Sequence, residues 1–267
     1  MLYIGCPMWG YKEWVGNFFP PNTTQSAFLR LYSRRLTSVE GNTSFYAVPD
    51  AATIARWRGE TPDSFRFCFK IPREISHTPR LDTRQRELQA FLARMRPMGE
   101  RLGPFFLQLP PAFGPKQIEQ LAAFLDYWPT GQNGLGNPRL AVEVRHPDFY
   151  QEPYTSLLDT MLKQHQVARV IMDTRPIRTG STQEQQVLQA RERKPDLPLH
   201  IAATADYAFV RYIGHPRMEV NDPLLDAWAE RCAHWIQSGM TLYIFCHCPF
   251  EVHSPDTCRA LYERVRR

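Results

Sequence analysis

Short apolar segments recur along the chain and alternate with longer segments of helical periodicity. Each apolar segment is about four to seven residues long, the usual length of a β-strand. These segments cover residues 2–5, 37–42, 65–70, 105–109, 140–145, 169–173, 209–214 and 242–247. The helical segments cover residues 23–35, 50–58, 84–98, 115–127, 154–165, 223–237 and 255–265, and a short helix is predicted near 183–193 within an excursion at 175–204. Such alternation predicts a parallel sheet with crossover helices.

The number of strand–helix units indicates how the sheet is organised. Eight units in a chain of 267 residues predict an α/β fold that closes into a single (β/α)8 TIM barrel, with parallel strands in chain order. No linker or internal repeat interrupts the pattern, so a single domain over residues 1–267 is predicted. The glycines of segment 131–136 are in the wrong order for a nucleotide-binding loop and follow no strand, so no nucleotide cofactor is predicted.

Several strands carry polar residues on one face only. In the segment 65–70 the phenylalanines share one face, whereas Arg66, Cys68 and Lys70 share the other. In a barrel, that polar face points inward. The residues with this parity are Glu40, Asn42, Lys70, Gln108, Glu143, Arg145, Asp173, Arg211 and His247. They predict either a site at the C-terminal ends of the strands, where enzymes with this fold work, or an ion-pair network that closes the barrel.

The residue types in this set favour an anionic ligand. Lys70, Arg145 and Arg211 are cations, and the planar fork of arginine matches phosphate or carboxylate. The same cations disfavour a divalent metal, for which carboxylates with His146 or His247 are the alternative ligands. The predicted proton-exchanging residues are Glu40, Glu143, Asp173, His77 and His146. For the two loop histidines, His77 and His146, hydrogen bonding that orders the loop is the alternative role.

The first loop is unusually aromatic. It contains Trp9, Tyr11, Trp14, Phe18 and Phe19. These rings either pack as a plug or, in the case of Trp9, form a stacking wall for a sugar or base. The predicted substrate-binding residues are Trp9, Asn42, Lys70, Gln108, Arg145, Arg211 and His247.

The motifs at these positions resemble the YecE-like family, a bacterial family of unknown function with barrel structures. The resemblance covers nearly the whole chain. It is carried by residues 4–9 with Trp14 and Pro20, and by residues 39–46, 65–72 with 76–77, 107–110, 142–147 and 211–214. Most of the family ends its eighth strand in an Asn-Asn pair, whereas this chain has Cys246-His247-Cys248, similar to a subgroup with histidine there. The resemblance implies the barrel and supplies no reaction.

Charge and cysteine content limit the partners and the compartment. A net charge of +5 favours anionic ligands and is too small to require a nucleic acid. The start of the chain lacks the pattern of a secretory signal, and no run approaches the roughly 20 apolar residues of a membrane span, so a cytoplasmic protein is expected. The six cysteines are therefore predicted to be reduced. Cys246, Cys248, His253 and Cys258 suggest zinc, but their spacing matches no usual structural site, so no metal is predicted.

Together these features predict a hydrolase, lyase or isomerase that acts on a small phosphorylated or carboxylated, sugar-like substrate. Arginine runs near residues 84–101 and 191–194 leave a second interpretation open, a nucleic-acid-binding or nucleic-acid-processing protein that holds a flipped nucleotide. In the first interpretation these runs are solvated helix faces. A non-catalytic ligand sensor is the third hypothesis.

Overall fold

Every apolar segment singled out in the sequence forms a β-strand in the computed structural model, which describes residues 1–129, 137–180 and 182–267. The strands are β1 (Leu2–Gly5), β2 (Ser38–Gly41), β3 (Arg66–Phe69), β4 (Phe105–Gln108), β5 (Leu140–Glu143), β6 (Ala168–Asp173), β7 (Tyr207–Ile213) and β8 (Thr241–His247). Their ends lie within two residues of the predicted ones. The glycine-containing segment 131–136 lies outside the described residues.

Helices fill the intervals between the strands. The α-helices are α1 (Phe28–Tyr32), α2 (Ala51–Glu60), α3 (Arg73–Ser76), α4 (Gln85–Met95), α5 (Ile118–Tyr127), α6 (Tyr154–Gln164), α7 (Arg175–Arg178), α8 (Gln185–Arg193), α9 (Met218–Gln237) and α10 (Ser254–Val265). Short 3-10 helices cover Lys12–Trp14, Gln25–Ala27, Asn42–Phe45, Leu81–Thr83, Arg96–Arg101, Pro115–Gln117, Pro147–Tyr150 and Glu251–His253. Among the described residues, no helix is both long enough and apolar enough to cross a bilayer.

The arrangement of the strands differs from the predicted one. They form a six-stranded sheet in the order β1-β8-β7-β6-β5-β4 and a separate two-stranded sheet of β2 and β3. The neighbours β1 and β8, β4 and β5, β5 and β6, and β7 and β8 are parallel. The prediction of a closed eight-stranded (β/α)8 barrel with strands in chain order is therefore wrong, whereas the α/β class and the parallel pairing are correct.

Two local features interrupt the hydrogen-bonded ladder that a closed barrel needs. In the part of the chain that the structure describes, isolated bridges join β3 to β4 and to the residues just before it, Phe67 with Leu102 and Lys70 with Phe106. The first pair is 35 positions apart and the second 36, so the register slips by one residue. Near β1, the N–H group of Ile4 donates to the side-chain Oγ1 of Thr37 at 2.8 Å, which takes the place of a main-chain acceptor.

The chain forms two compact units. Unit 1 comprises Met1–Val39, Ile171–Ile201 and Asp206–Arg267, and unit 2 comprises Glu40–Val170 and Ala202–Ala205. The single domain over residues 1–267 stays a prediction.

The core of unit 2 confirms the alternation in β3. Phe67 and Phe69 stack on Trp57 of α2, with ring centroids 6.1 and 5.7 Å away. The two phenylalanine rings also stack on each other at 5.4 Å. Since successive side chains of a strand point to opposite faces, Cys68 and Lys70 belong to the other face of this strand.

In unit 1 the aromatic first loop packs around Trp14. This side chain is completely buried, and its indole N–H donates to the carbonyl oxygen of Glu251 at 2.9 Å. Its ring contacts Phe19 and Tyr32 at centroid distances of 5.9 and 6.1 Å. Packing is thus the role of Trp14 and Phe19, while Trp9 is only partly buried.

Candidate functional site

The predicted site residues fall into both units. Unit 2 contains Glu40, Asn42, Lys70, His77, Gln108, Glu143, Arg145 and His146. Unit 1 contains Trp9, Asp173, Arg211 and His247.

A chain of hydrogen bonds in unit 2 joins four of the predicted residues, and we call it the Glu143 network. The Lys70 Nζ donates to Oε1 of Gln108 at 2.7 Å, and the Gln108 Nε2 donates to Oε1 of Glu143 at 2.8 Å. The Nε of Arg145 donates to the same Glu143 oxygen at 2.7 Å. Gln108 and Glu143 meet because they are register partners at the ends of β4 and β5. Strand parity alone predicted that these four side chains would lie together.

Arg145 is the member of the network that faces solvent. Its side chain is 17% exposed, whereas that of Glu143 is 1% exposed. The Nε is used by Glu143, and the terminal nitrogens Nη1 and Nη2 donate no hydrogen bond to any residue that the structure describes. A buried carboxylate therefore holds the guanidinium in place while its outer N–H groups stay available for two-point binding of a phosphate or carboxylate.

Around the network, polar and aromatic groups of unit 2 fix the neighbouring turn. Asn42 donates its Nδ2 to Oε1 of the buried Glu40 at 2.8 Å. The Ser44 hydroxyl contacts the carbonyl oxygens of Gly41 at 3.0 Å and of Lys70 at 2.6 Å. The Lys70 ammonium lies 3.8 Å from the ring centroid of Phe45, a cation–π contact that lowers the cost of burying the charge.

His77 lies beside an open cavity in the same unit. The cavity has a volume of about 510 Å³ and is lined by residues 44–48 and 72–74 with His77. The imidazole packs edge-on against Phe45 at 5.1 Å, and its Nδ1 lies 2.9 Å from the Ser76 hydroxyl. Burial, followed by the positive charges of Lys70, Arg73 and Arg145, lowers the pKa of His77 to about 4. This histidine is therefore a neutral group at physiological pH.

His146 has contacts that order its own loop. Its Nδ1 accepts the main-chain N–H of Asp148 at 3.3 Å, which caps the 3-10 helix that begins at Pro147. A β-carbon on Gly114 would lie 3.1 Å from the His146 ring, so the ring fits closely against that glycine. These contacts correspond to the loop-ordering role that the sequence left open for His146.

Asp173 of unit 1 is held by donors of its own surroundings. It is completely buried and accepts hydrogen bonds from Nε and Nη2 of Arg175 at 2.9 and 2.7 Å. It also accepts the main-chain N–H of Arg175 at 3.1 Å and the indole N–H of Trp228 at 2.8 Å. Four donors on two oxygens make Asp173 an anchor for α7 and α9.

Arg211 and His247 lie on the neighbouring strands β7 and β8. Both side chains are buried. In the register of these strands Arg211 pairs with Phe245 and His247 pairs with Ile213, so the two residues are two positions apart along the ladder. The ligand-binding role of Arg211, His247 and Trp9 stays a prediction.

Comparison with known proteins identifies the family of the chain. A family model described as "Protein of unknown function DUF72" matches residues 3–267. The chain belongs to this family. It is also 37% identical over 270 residues to the UPF0759 protein YecE of Escherichia coli K12, and the match covers 100% of this chain and 93% of that protein. The resemblance to the YecE-like family is thus confirmed.

More distant proteins also match. The UPF0759 protein YunF of Bacillus subtilis is 26% identical over 187 residues, which cover 68% of this chain and 64% of that protein. The crystal structure of a DUF72 family protein from Thermotoga maritima matches with a TM-score of 0.74 at 19% identity, over 100% of both chains. One from Enterococcus faecalis matches with a TM-score of 0.76 at 17% identity, over 100% of this chain and 96% of that one. These structures show a shared fold.

The cysteines near the end of β8 pack as small core residues. All six cysteines of the chain are free and buried. Cys6 and Cys258 approach each other with their sulfur atoms 3.7 Å apart, and the Cys258 thiol donates to the carbonyl oxygen of Gly5 at 3.2 Å. Burial raises the pKa of Cys6 well above its ordinary value, so its thiol is neutral. Within the described ranges, no cluster of three or more His, Cys, Asp or Glu side chains is arranged to hold a metal ion.

Two residues of the candidate site were not assigned a role from the sequence. Phe45 contacts both Lys70 and His77, and Ser76 contacts His77. Both residues lie in segments that follow strands, where the two-residue period of a strand no longer indicates the direction of a side chain. The only signal was their presence in the motifs at residues 39–46 and 76–77 that carry the family resemblance.

The lowered pKa of His77 predicts a pH-dependent stability. Below its ordinary pKa of 6.5, His77 binds a proton in the unfolded chain, whereas in the folded protein it does so only near pH 4. The unfolded state then binds more protons, so the free energy of unfolding falls as the pH decreases from about 6.5 to about 4. In His77→Gln the free energy of unfolding should fall less over this pH range. Above about pH 7 its dependence on pH should be the same as in wild type. Urea denaturation at a series of pH values measures the free energy of unfolding of both proteins. If the two curves against pH ran parallel from about pH 7 to about pH 4, the lowered pKa of His77 would be contradicted.

Proposed function

We propose that this protein is an enzyme of the hydrolase, lyase or isomerase type that binds a small phosphorylated or carboxylated substrate through Arg145. The observation that carries the proposal is the geometry of this arginine. Its Nε is fixed by the buried Glu143, and its outer nitrogens have no partner among the described residues. A guanidinium that is pre-oriented in this way loses little conformational entropy when it binds an anion.

The charges around Arg145 support an anion rather than a divalent metal. In the Glu143 network, Lys70 and Arg145 carry positive charge and Glu143 carries negative charge. The positive charges also act on His77, whose pKa they help to lower. Within this network the two cations outnumber the one carboxylate, which favours phosphate or carboxylate over a divalent cation.

The contacts of these residues support a division of roles within the proposed site. Glu143 positions Arg145, and Glu40 and His77 are the proposed proton-exchanging groups. His146 and Asp173 are occupied by contacts that order a loop and anchor two helices, so the proposal gives them no step in catalysis. Trp9, Arg211 and His247 belong to unit 1, and the proposal does not depend on them.

Two of the arginines near residues 84–101 are engaged in ion pairs, which weakens the nucleic-acid hypothesis. Arg84 pairs with Glu87 at 3.0 Å, and Arg101 pairs with Asp63 at 2.5 Å. Each pair must be opened or shared before the arginine can neutralise a backbone phosphate. The small-anion hypothesis therefore has the stronger physical basis.

Inorganic phosphate is expected to stabilise the native protein through Arg145. At a phosphate concentration of about 100 times Kd, the gain is about 2.7 kcal/mol. For a chain of this size it corresponds to a rise of roughly 5–10 °C in Tm. The variant Arg145→Gln should lose this rise, because it lacks the fork that binds the anion. Thermal melts in phosphate, and in sodium chloride of equal ionic strength, measure the effect.

A matched control uses a surface arginine of the same unit. Arg80 forms a two-point ion pair with Asp82 and is 64% exposed, so Arg80→Gln removes the same charge away from the network. It should keep the phosphate effect. Equal phosphate effects in Arg145→Gln and wild type would refute anion binding at Arg145, as would the absence of any effect in wild type. Turnover in a screen of phosphate and carboxylate esters, lost in Arg145→Gln, would separate the enzyme from the sensor.

A further inference from the structure

The cavity beside His77 has the size and the position of a ligand pocket. Its volume of about 510 Å³ falls within the range of about 300–1,000 Å³ that is typical of small-molecule sites. Phe45 connects it to the Glu143 network, because this ring contacts Lys70 on one side and His77 on another. Tyr46, which also lines the cavity, is 82% exposed, so the pocket opens to solvent.

The hydrogen bonds of Ser76 determine which nitrogen of His77 carries the proton. The Ser76 hydroxyl lies 3.1 Å from the carbonyl oxygen of Pro72 and 2.9 Å from Nδ1 of His77. The Ser76 hydroxyl has one hydrogen, which it can donate to Pro72 or to Nδ1 of His77. When it donates to Pro72, the Ser76 oxygen accepts from Nδ1–H of His77. In a neutral imidazole this tautomer leaves Nε2 as an acceptor with a lone pair.

The lone pair of Nε2 is available to a ligand. Among the residues that the structure describes, Nε2 of His77 has no hydrogen-bond partner. The positive charges of Lys70, Arg73 and Arg145 act on the ring. They repel an ammonium group, so the partner that suits Nε2 is an uncharged donor.

We propose that Nε2 of His77 accepts a hydrogen bond from a hydroxyl group of the ligand, which makes the ligand a hydroxylated phosphate or carboxylate. This inference rests on the proposed function, because the anionic group of the same ligand is held by Arg145. It adds a substrate class, polyol phosphates and hydroxy acids, and it assigns Ser76 as the residue that positions the His77 tautomer.

Binding of two matched phosphates tests the inference. Glycerol 3-phosphate and n-propyl phosphate have the same charge and carbon chain, and they differ in the hydroxyl groups. Calorimetric titration of the full chain should show tighter binding of glycerol 3-phosphate by about two- to tenfold, the contribution of one hydrogen bond. In His77→Phe this preference should disappear, whereas n-propyl phosphate should bind as it does to wild type. Ser76→Ala should reduce the preference without weakening n-propyl phosphate.

The outcomes separate the inference from the proposed function. Equal binding of the two phosphates to wild type, or a preference that survives in His77→Phe, would overturn the hydroxyl contact and leave anion binding intact. Binding of neither phosphate would overturn both proposals. Long-range proton–nitrogen NMR, with the His77 signal assigned by its loss in His77→Phe, gives an independent readout. A proton on Nδ1 in wild type is expected, and a proton on Nε2 would overturn the tautomer and the inference with it.

Discussion

Replacing Gly5 with alanine is expected to lower the free energy of unfolding by at least about 3 kcal/mol. A β-carbon at this position would lie 1.9 Å from the carbonyl oxygen of Ser38 and 2.9 Å from the hydroxyl oxygen of Tyr32. The Ser38 oxygen belongs to the main chain and accepts the Tyr32 hydroxyl at 3.0 Å, so it cannot turn aside without losing that bond. Strand β1 must shift instead. The corresponding decrease in Tm is roughly 6–12 °C for a chain of about this size.

Gly10 provides the matched control for this prediction. A β-carbon on Gly10 would meet no atom within 4 Å, and the residue is exposed. Gly10→Ala should therefore change the free energy of unfolding by no more than about 0.5 kcal/mol. If Gly5→Ala and Gly10→Ala had the same Tm, the close approach of Gly5 to Ser38 would not limit the stability of the protein.

The strands were predictable because each coincides with a short apolar run of the sequence. β1 and β8 are examples, with ends that match the apolar segments within one residue. Helix ends were less predictable. The predicted helix at 223–237 begins five residues earlier, at Met218 in α9, because Pro223 lies inside this helix instead of marking its start.

Closure of the sheet was not predictable from the same pattern. Alternation specifies which face of a strand is apolar, but pairing also requires a continuous register with a neighbour. The one-residue slip between β3 and β4 spans Gly103 and Pro104, and proline has no N–H to offer to a ladder. The hydroxyl of Thr37 acts as an acceptor for the main chain of β1. Both effects depend on which residues face each other, and this is not visible in one strand at a time.

In the candidate site, too, strand alternation predicted some contacts, whereas contacts outside the strands were not predictable. Gln108 and Glu143 were found from strand parity, and their hydrogen bond follows from the register of β4 and β5. Arg145 lies two positions beyond Glu143, past the end of β5, yet keeps the parity of the strand. The contact between Ser76 and His77 depends on the turn of α3, for which no periodic pattern in the sequence gives a direction.

Replacing Glu143 with leucine is expected to destabilise the protein by about 3–5 kcal/mol. Glu143 is the shared acceptor of Gln108 and Arg145, and only 1% of its side chain is exposed. Without the carboxylate, the buried amide of Gln108 and the Nε of Arg145 lose their partner, and the positive charge of Lys70 and Arg145 is no longer offset. The expected decrease in Tm is roughly 6–20 °C.

A surface pair and an isosteric variant serve as controls for Glu143→Leu. Glu87 pairs with Arg84 on the surface, so Glu87→Leu should cost no more than about 1 kcal/mol. Glu143→Gln keeps an oxygen that can accept from both Gln108 and Arg145, so it should be clearly more stable than Glu143→Leu. A Glu143→Leu protein as stable as wild type would show that the network contributes little to folding.

The two Glu143 variants should also differ in how they bind phosphate. Both remove a negative charge next to the proposed anion, which by itself strengthens binding. Glu143→Gln keeps the acceptor that orients Arg145, so its Tm should rise on phosphate addition at least as much as that of wild type. Glu143→Leu frees the guanidinium to adopt many orientations, and fixing one of them again costs free energy when the anion binds. A smaller phosphate effect in Glu143→Leu than in Glu143→Gln would therefore show that Glu143 acts by positioning Arg145, whereas equal effects would mean that only the net charge matters.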